Sequence, residues 1–115
     1  MATIEECRAA LDKLSGNMQH AEGDVREATL LDRSVSCHIK DLDVTFVGRL
    51  KGGRIEVHDT VQGAPRERAQ IRLTLTGDDL LALVDGELHF ARAWGSGRVR
   101  LEAGLRDLFH LRKLL

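Results

Sequence analysis

Five segments of this chain obey one rule: aliphatic residues on one side, charged or hydroxylic residues on the other. Val35, Cys37 and Ile39 alternate with Ser36, His38 and Lys40, and Val44, Phe46 and Leu50 continue the apolar side in the next segment. A third segment starts at Arg54-Ile55-Glu56, a fourth sets Ile71, Leu73 and Leu75 against Arg72, Thr74 and Thr76, and a fifth sets Val99, Leu101 and Ala103 against Arg98, Arg100 and Glu102. A period of two makes a strand with one dry and one wet face. A doubly wound parallel sheet would need strands apolar on both faces, so the pattern predicts an α+β fold: a five-stranded, mostly antiparallel sheet with helices packed on one face and water on the other.

Lys51-Gly52-Gly53-Arg54 joins the second and third strands through a Gly-Gly turn, whose backbone twist suits a two-residue hairpin. That turn sets Leu50 opposite Ile55, Arg49 opposite Glu56 as an opposite-charge pair, and Val47 opposite His58. Gln62 to Ala69, with the single proline Pro65, reads as an exposed connection.

Helical spacing fills the intervals. Thr3 and Glu6 form a capping box ahead of Ile4, Cys7, Leu11, Leu14 and Met18, and Val25, Ala28 and Leu31 suggest a further turn or two after Gly23-Asp24. Thr76 caps a helix that carries Asp78-Asp79 at its start and buries Leu80, Leu81, Leu83 and Val84, and Gly86 stops it. Leu88, Phe90, Ala91 and Trp94 belong to a second short helix, Gly95-Ser96-Gly97 turns the chain into the last strand, and Gly104 opens a terminal helix.

A length of 115 residues without internal repeats predicts one domain, 1–115. Seventeen basic against eighteen acidic side chains leave a net charge of -1, so no bulk field draws in nucleic acid or an anionic membrane. No stretch reaches the roughly 18 unbroken apolar residues of a membrane span, and Cys7 and Cys37 lack paired spacing. A soluble, cytoplasmic protein is expected.

The terminal helix is richer in apolar residues than packing on a sheet demands. Leu105, Leu108, Phe109, Leu111, Leu114 and Leu115 spread over well over half its circumference, whereas a helix lying on a sheet buries a stripe of about 100°. The surplus is met by the N-terminal helix, by a second copy of the chain, or by a ligand. Leu80 to Val84 and Phe90/Trp94 present apolar faces to the same side of the sheet, and aliphatic helices around a sheet can leave a dry cavity.

Two ordered blocks within this region, Leu73-Thr74-Leu75-Thr76-Gly77-Asp78-Asp79-Leu80-Leu81-Ala82-Leu83-Val84-Asp85-Gly86-Glu87-Leu88 and Ala91-Arg92-Ala93-Trp94-Gly95-Ser96-Gly97-Arg98-Val99-Arg100-Leu101-Glu102, resemble the sterol carrier protein type 2 domain. The resemblance implies a five-stranded sheet covered by helices around a hydrophobic tunnel for fatty acyl chains, acyl-CoA or sterols, with no catalysis and no cofactor. His89-Phe90 stands where the family has Asn-Pro, Trp94-Gly95 where it has Phe-Met, and Leu105-Arg106-Asp107 differs from the family's small, apolar opening of the last helix. The ending Arg112-Lys113-Leu114-Leu115 is not the Ser-Lys-Leu address of eukaryotic members, which implies a small stand-alone bacterial relative.

The expected function is therefore binding or transfer of a fatty acyl or sterol-like molecule, with transient membrane contact. The expected lining is Phe46, Leu73, Leu75, Leu80, Leu83, Val84, Phe90, Trp94, Leu101, Leu108, Phe109 and Leu111. The alternative is a homodimerising interaction domain whose apolar surplus is an interface and whose cavity is filled.

Chemistry-bearing residues fit structural roles. His20, His38, His58, His89 and His110 are scattered without metal-ligand spacing, although His38 and His58 share the polar side of the sheet. Cys37 alternates with dry positions, Ser96 lacks a nucleophile elbow, and Asp78-Asp79 belong at a helix start, so no catalytic or metal residue is expected. Arg49, Arg54, Arg72, Arg98 and Arg100 on the wet face could make a basic patch. Glu56 and Glu102 interrupt it, and the chain has no tyrosine to stack on bases, which argues against nucleic acid.

Overall fold

The computed structural model describes residues 2–19, 32–51, 54–65 and 68–105. Helix α1 (Ile4–Gln19) starts at the predicted capping box: the Thr3 amide donates to Glu6 Oε1 at 3.1 Å, and the Glu6 amide donates to Thr3 Oγ1 at 3.1 Å. Cys7, Ala10, Leu11 and Leu14 form its buried face, whereas Ile4 is 40% exposed and lies off the stripe.

The strands are β1 (Asp32–Ile39), β2 (Val44–Lys51), β3 (Arg54–Gln62), β4 (Ile71–Leu75) and β5 (Arg100–Glu102). They form one sheet in the order β3-β2-β1-β4-β5, in which β1 and β4 run parallel and every other neighbouring pair is antiparallel. The predicted α+β class holds. Leu73 lies beside Cys37 on one side and Leu101 on the other, and Cys37 beside Phe46, so one apolar row crosses four strands.

The β2–β3 hairpin keeps Leu50 opposite Ile55 and Arg49 opposite Glu56, but the register slips between Val47 and Gly48. Val47 pairs with Asp59 rather than His58, and Gly48 pairs with Val57. His58 is the additional residue of a β-bulge, which simple counting from the turn does not anticipate. A Cβ on Gly48 would lie 1.9 Å from the Glu56 carbonyl oxygen, so only glycine lets the bulged backbones approach. The Gly52-Gly53 turn itself, the turns proposed at Val25 to Leu31 and the terminal helix beyond Leu105 lie outside the described residues.

Helices α2 (Gly77–Val84) and α3 (Phe90–Gly95) follow β4. Thr76 Oγ1 accepts from the Asp79 amide at 3.1 Å as predicted, and Gly86, at φ 80, lies just beyond the Asp85 cap. The Val99 amide donates to the Ala93 carbonyl at 3.1 Å instead of to the sheet, which delays β5 to Arg100. Arg98 consequently leaves the wet face where the alternation set it, and its Nη2 meets Asp79 Oδ1 at 2.6 Å.

The face turned away from the helices is not simply wet. Because β3 is at one edge and β4 lies beyond β1, the chain between them must cross β2 and β1, and it crosses on this side. Thr45 Oγ1 donates to the Gly63 carbonyl at 2.7 Å, and the Ser34 and Gln70 amides each donate to the other's side chain. Beneath this crossing Ser36 and Thr45 are buried polar residues. The predicted exposed connection is thus half-buried at Gly63, Pro65 and Ala69.

Candidate functional site

The dry face is the candidate site. β1 contributes Cys37 and Ile39, β2 Val44, Phe46 and Leu50, β4 Ile71, Leu73 and Leu75, and β5 Leu101, all buried. Alternation places them on one side, and α1, α2 and α3 bring Cys7, Leu11, Leu14, Leu80, Val84 and Phe90 onto it as one continuous cluster.

Of the expected lining, Phe46, Leu73, Leu75, Leu80, Val84, Phe90 and Leu101 meet in that cluster, and Leu83 packs against it half-buried. Trp94 lies at its margin, 37% exposed, its ring 6.1 Å from that of Phe90 and inclined by 29°. Leu108, Phe109 and Leu111 fall outside the described residues. Cys37, Ile39, Ala93 and Val99 share the cluster without having been placed in the lining. Their signal was the same two-residue alternation for the strand positions and, for Ala93, small size on a short helix.

Polar contacts hold the start of α2 against this face. The Gly77 amide donates to Asp41 Oδ1 at 2.9 Å, the Ala2 amide donates to Asp78 Oδ1 at 2.9 Å, and Asp79 takes the Arg98 ion pair. The two adjacent acids therefore tie separate parts of the chain to a helix N-terminus, whose dipole favours their charge. At the other end of α2, Lys13 Nζ meets Asp85 Oδ1 at 2.7 Å.

Burial pushes the Cys37 thiol up to about 12, helped by Cys7, and burial, followed by the charges of Asp41, Glu6 and Asp78, pushes the Cys7 thiol up to about 11. At neutral pH the raised values favour the protonated thiol, the weakly nucleophilic form. Both acidities are weakened in the fold, so the thiols favour folding below pH 9, and that contribution is lost as the pH rises from 9 toward 12. Iodoacetamide at pH 8 is expected to leave both thiols unmodified in the folded chain and to alkylate both after denaturation. Rapid alkylation of folded protein would contradict the burial of both thiols.

Among the described residues no group of three or more His, Cys, Asp and Glu could hold a metal ion. His38 Nε2 lies 3.4 Å from Asp43 Oδ1, while His58 sits on the edge strand with β2 between them, so the two histidines are not neighbours. Ser96 caps α3 and its Oγ donates to the Ala93 carbonyl at 3.2 Å. On the opposite face, acids accompany the arginines: Arg49 bonds Asp32, and Arg72 and Arg100 lie 3.8 and 3.1 Å from Glu102. No described helix is long and apolar enough to cross a membrane.

No protein-family profile matches the chain. No curated protein is similar to it in sequence. Solved structures are similar in fold. Sterol carrier protein 2 superposes with a TM-score of 0.64 at 17% identity, over 97% of this chain and 88% of its own. The palmitated sterol carrier protein 2-like 2 of Aedes aegypti superposes with a TM-score of 0.58 at 15% identity, over 97% of this chain and 92% of its own. The stereoselective inverting sec-alkylsulfatase Pisa1 from Pseudomonas sp. matches 80% of this chain with a TM-score of 0.56 at 22% identity, but this chain spans only 14% of that enzyme.

Proposed function

We propose that this chain, which has the sterol carrier protein 2 fold, folds as one domain and is a non-catalytic carrier of an apolar ligand held between the sheet and the helices. The observation that carries the reading is the one-sided sheet: its dry face gathers aliphatic and aromatic residues from four strands and three helices into one cluster. Burial of alkyl surface there is worth about 0.8 kcal/mol per methylene, which suits a fatty acyl chain or a sterol-like molecule. The palmitated protein of the same fold supports an acyl ligand.

In this reading the lining is Phe46, Leu73, Leu75, Leu80, Leu83, Val84, Phe90 and Leu101 with Leu108, Phe109 and Leu111 of the terminal segment, and Trp94 stands at the margin. No residue forms a bond to the ligand; the raised thiols and the structural use of Asp78, Asp79 and Ser96 support a site that binds without reacting. The protein works in the cytoplasm of a bacterium and meets membranes only transiently, to load and unload.

Native mass spectrometry after gentle purification is the test. A population heavier than the polypeptide by the mass of a lipid, lost on organic extraction, is the expected result. A chain that carries no lipid and takes up none from added vesicles contradicts the proposal.

A further inference from the structure

Trp94 is the one exposed aromatic side chain among the described residues. Its ring stacks on that of Phe90, which is buried in the dry cluster, so the indole joins the cluster to the surface. Single apolar side chains scattered over a surface need no explanation; one continuous with the dry face does.

The surface around it is low and basic. From Ala91 to Gly97 every residue but Ala93 is exposed, and all the exposed ones except Arg92 and Trp94 are small. With Phe90 and Ala93 marking the inner side of α3, a turn of 3.6 residues sets Ala91, Arg92 and Gly95 outward and Trp94 at their border. No acid occurs between Glu87 and Glu102, an interval that holds His89, Arg92, Arg98 and Arg100 in a chain whose net charge is -1. Arg98 and Arg100 meet Asp79 and Glu102, yet both side chains are more than half exposed. The Arg92 side chain has no hydrogen bond or ion pair among the described residues.

We infer that α3 and the Gly95-Ser96-Gly97 turn are the surface by which this chain docks on an anionic lipid bilayer, with Trp94 among the headgroups and upper acyl chains and Arg92 on the lipid phosphates. An indole, apolar in body with one N–H donor, settles at a membrane–water interface. A guanidinium matches a phosphate with two parallel hydrogen bonds, and an unpaired one gives up no protein partner to do so. The small residues between them let the backbone come close to the headgroups. This docking surface rests on the carrier reading for its purpose: Phe90, directly behind Trp94, gives an acyl chain apolar contact from the bilayer to the dry face.

Co-sedimentation of the full chain with sucrose-loaded vesicles of phosphatidylcholine, alone or mixed with phosphatidylglycerol, tests it. Adhesion is expected to be several-fold stronger on the mixed vesicles and to weaken as salt is added. Bromine on the lipid acyl chains is expected to quench Trp94, the chain's single tryptophan, in the pelleted protein. Arg92→Gln, at an exposed position without a side-chain partner, keeps the fold and weakens adhesion by about fivefold. Trp94→Ala weakens it by about tenfold through loss of apolar surface. Arg8→Gln, the same charge change at an exposed position of α1, leaves it unchanged. Absence of adhesion, equal adhesion to both vesicles, unquenched Trp94 in the pellet, or an effect of Arg8→Gln as large as that of Arg92→Gln would overturn the inference. Carriage is read separately, from lipid that leaves with the protein in the supernatant: a chain that pellets as expected but carries no lipid away keeps the docking surface and loses the carrier reading, and one that carries lipid without pelleting does the reverse.

Discussion

Phe46→Ala is expected to lower the unfolding free energy by about 3–5 kcal/mol, the usual cost of emptying a buried aromatic position. Phe46 is among the largest fully buried side chains, it lies beside Cys37 in the sheet, and it belongs to the cluster that α1, α2 and α3 cover. Domains of this kind are stable by only about 5–15 kcal/mol, so the variant would lose a large share of the total. Chemical denaturation of both proteins at matched pH measures it. A loss under about 1 kcal/mol, the ordinary effect of an arbitrary substitution, would mean that Phe46 adds little to the cluster that the helices cover.

Gly48→Val carries the second large effect, and its cause is different. The new Cβ would fall 1.9 Å from the Glu56 carbonyl oxygen, which is backbone and cannot rotate aside. Strands β2 and β3 must separate there or the bulge must move, and a loss of about 3 kcal/mol, the upper end of what overpacking costs, is expected. A slipped register would turn Val47 and Arg49 over to the dry face. The readout is therefore double: a lower denaturation midpoint, and amide exchange that quickens first at Val47 and Val57. Unchanged stability would mean that the bulge is not a fixed feature of the hairpin.

Much of the fold was legible because its rules are local. Alternation at Val35-Cys37-Ile39 and Ile71-Leu73-Leu75 depends only on neighbouring side chains, and the Thr3/Glu6 and Thr76/Asp79 caps pair residues three positions apart, so each formed as expected. The bulge at Val47/Gly48 was hidden because an additional residue leaves the alternation of each strand intact on both sides of it. Strand order was hidden for another reason: the β1–β4 parallel pair arises from a chain crossing that no local pattern encodes. That crossing buries Ser36 and Thr45, two polar residues whose place in the alternation implied water. Arg98 was misplaced because the Val99 amide is taken by the Ala93 carbonyl, a contact between a short helix and a turn.

The dry face was legible residue by residue, yet its purpose is a matter of volume rather than pattern. A cavity wall and a packed core use the same side chains, so Leu75, Leu80 and Leu101 read identically in both. Trp94 is the reporter that would separate them in a titration, because it is partly exposed, stacked on buried Phe90, and the chain's single tryptophan.

Titration with palmitate, followed by Trp94 fluorescence in the wild type and in Leu83→Arg, tests the carrier account most directly. Entry of the chain beside Phe90 would drive water from the indole, so emission is expected to move saturably to shorter wavelength. Leu83 is half-buried against the same cluster, and a guanidinium there would be unpaired in a dry site, so the variant is expected to fold and to lose the shift. No saturable change in the wild type with palmitate, its coenzyme A thioester or a sterol, or an identical change in folded Leu83→Arg, would contradict the account.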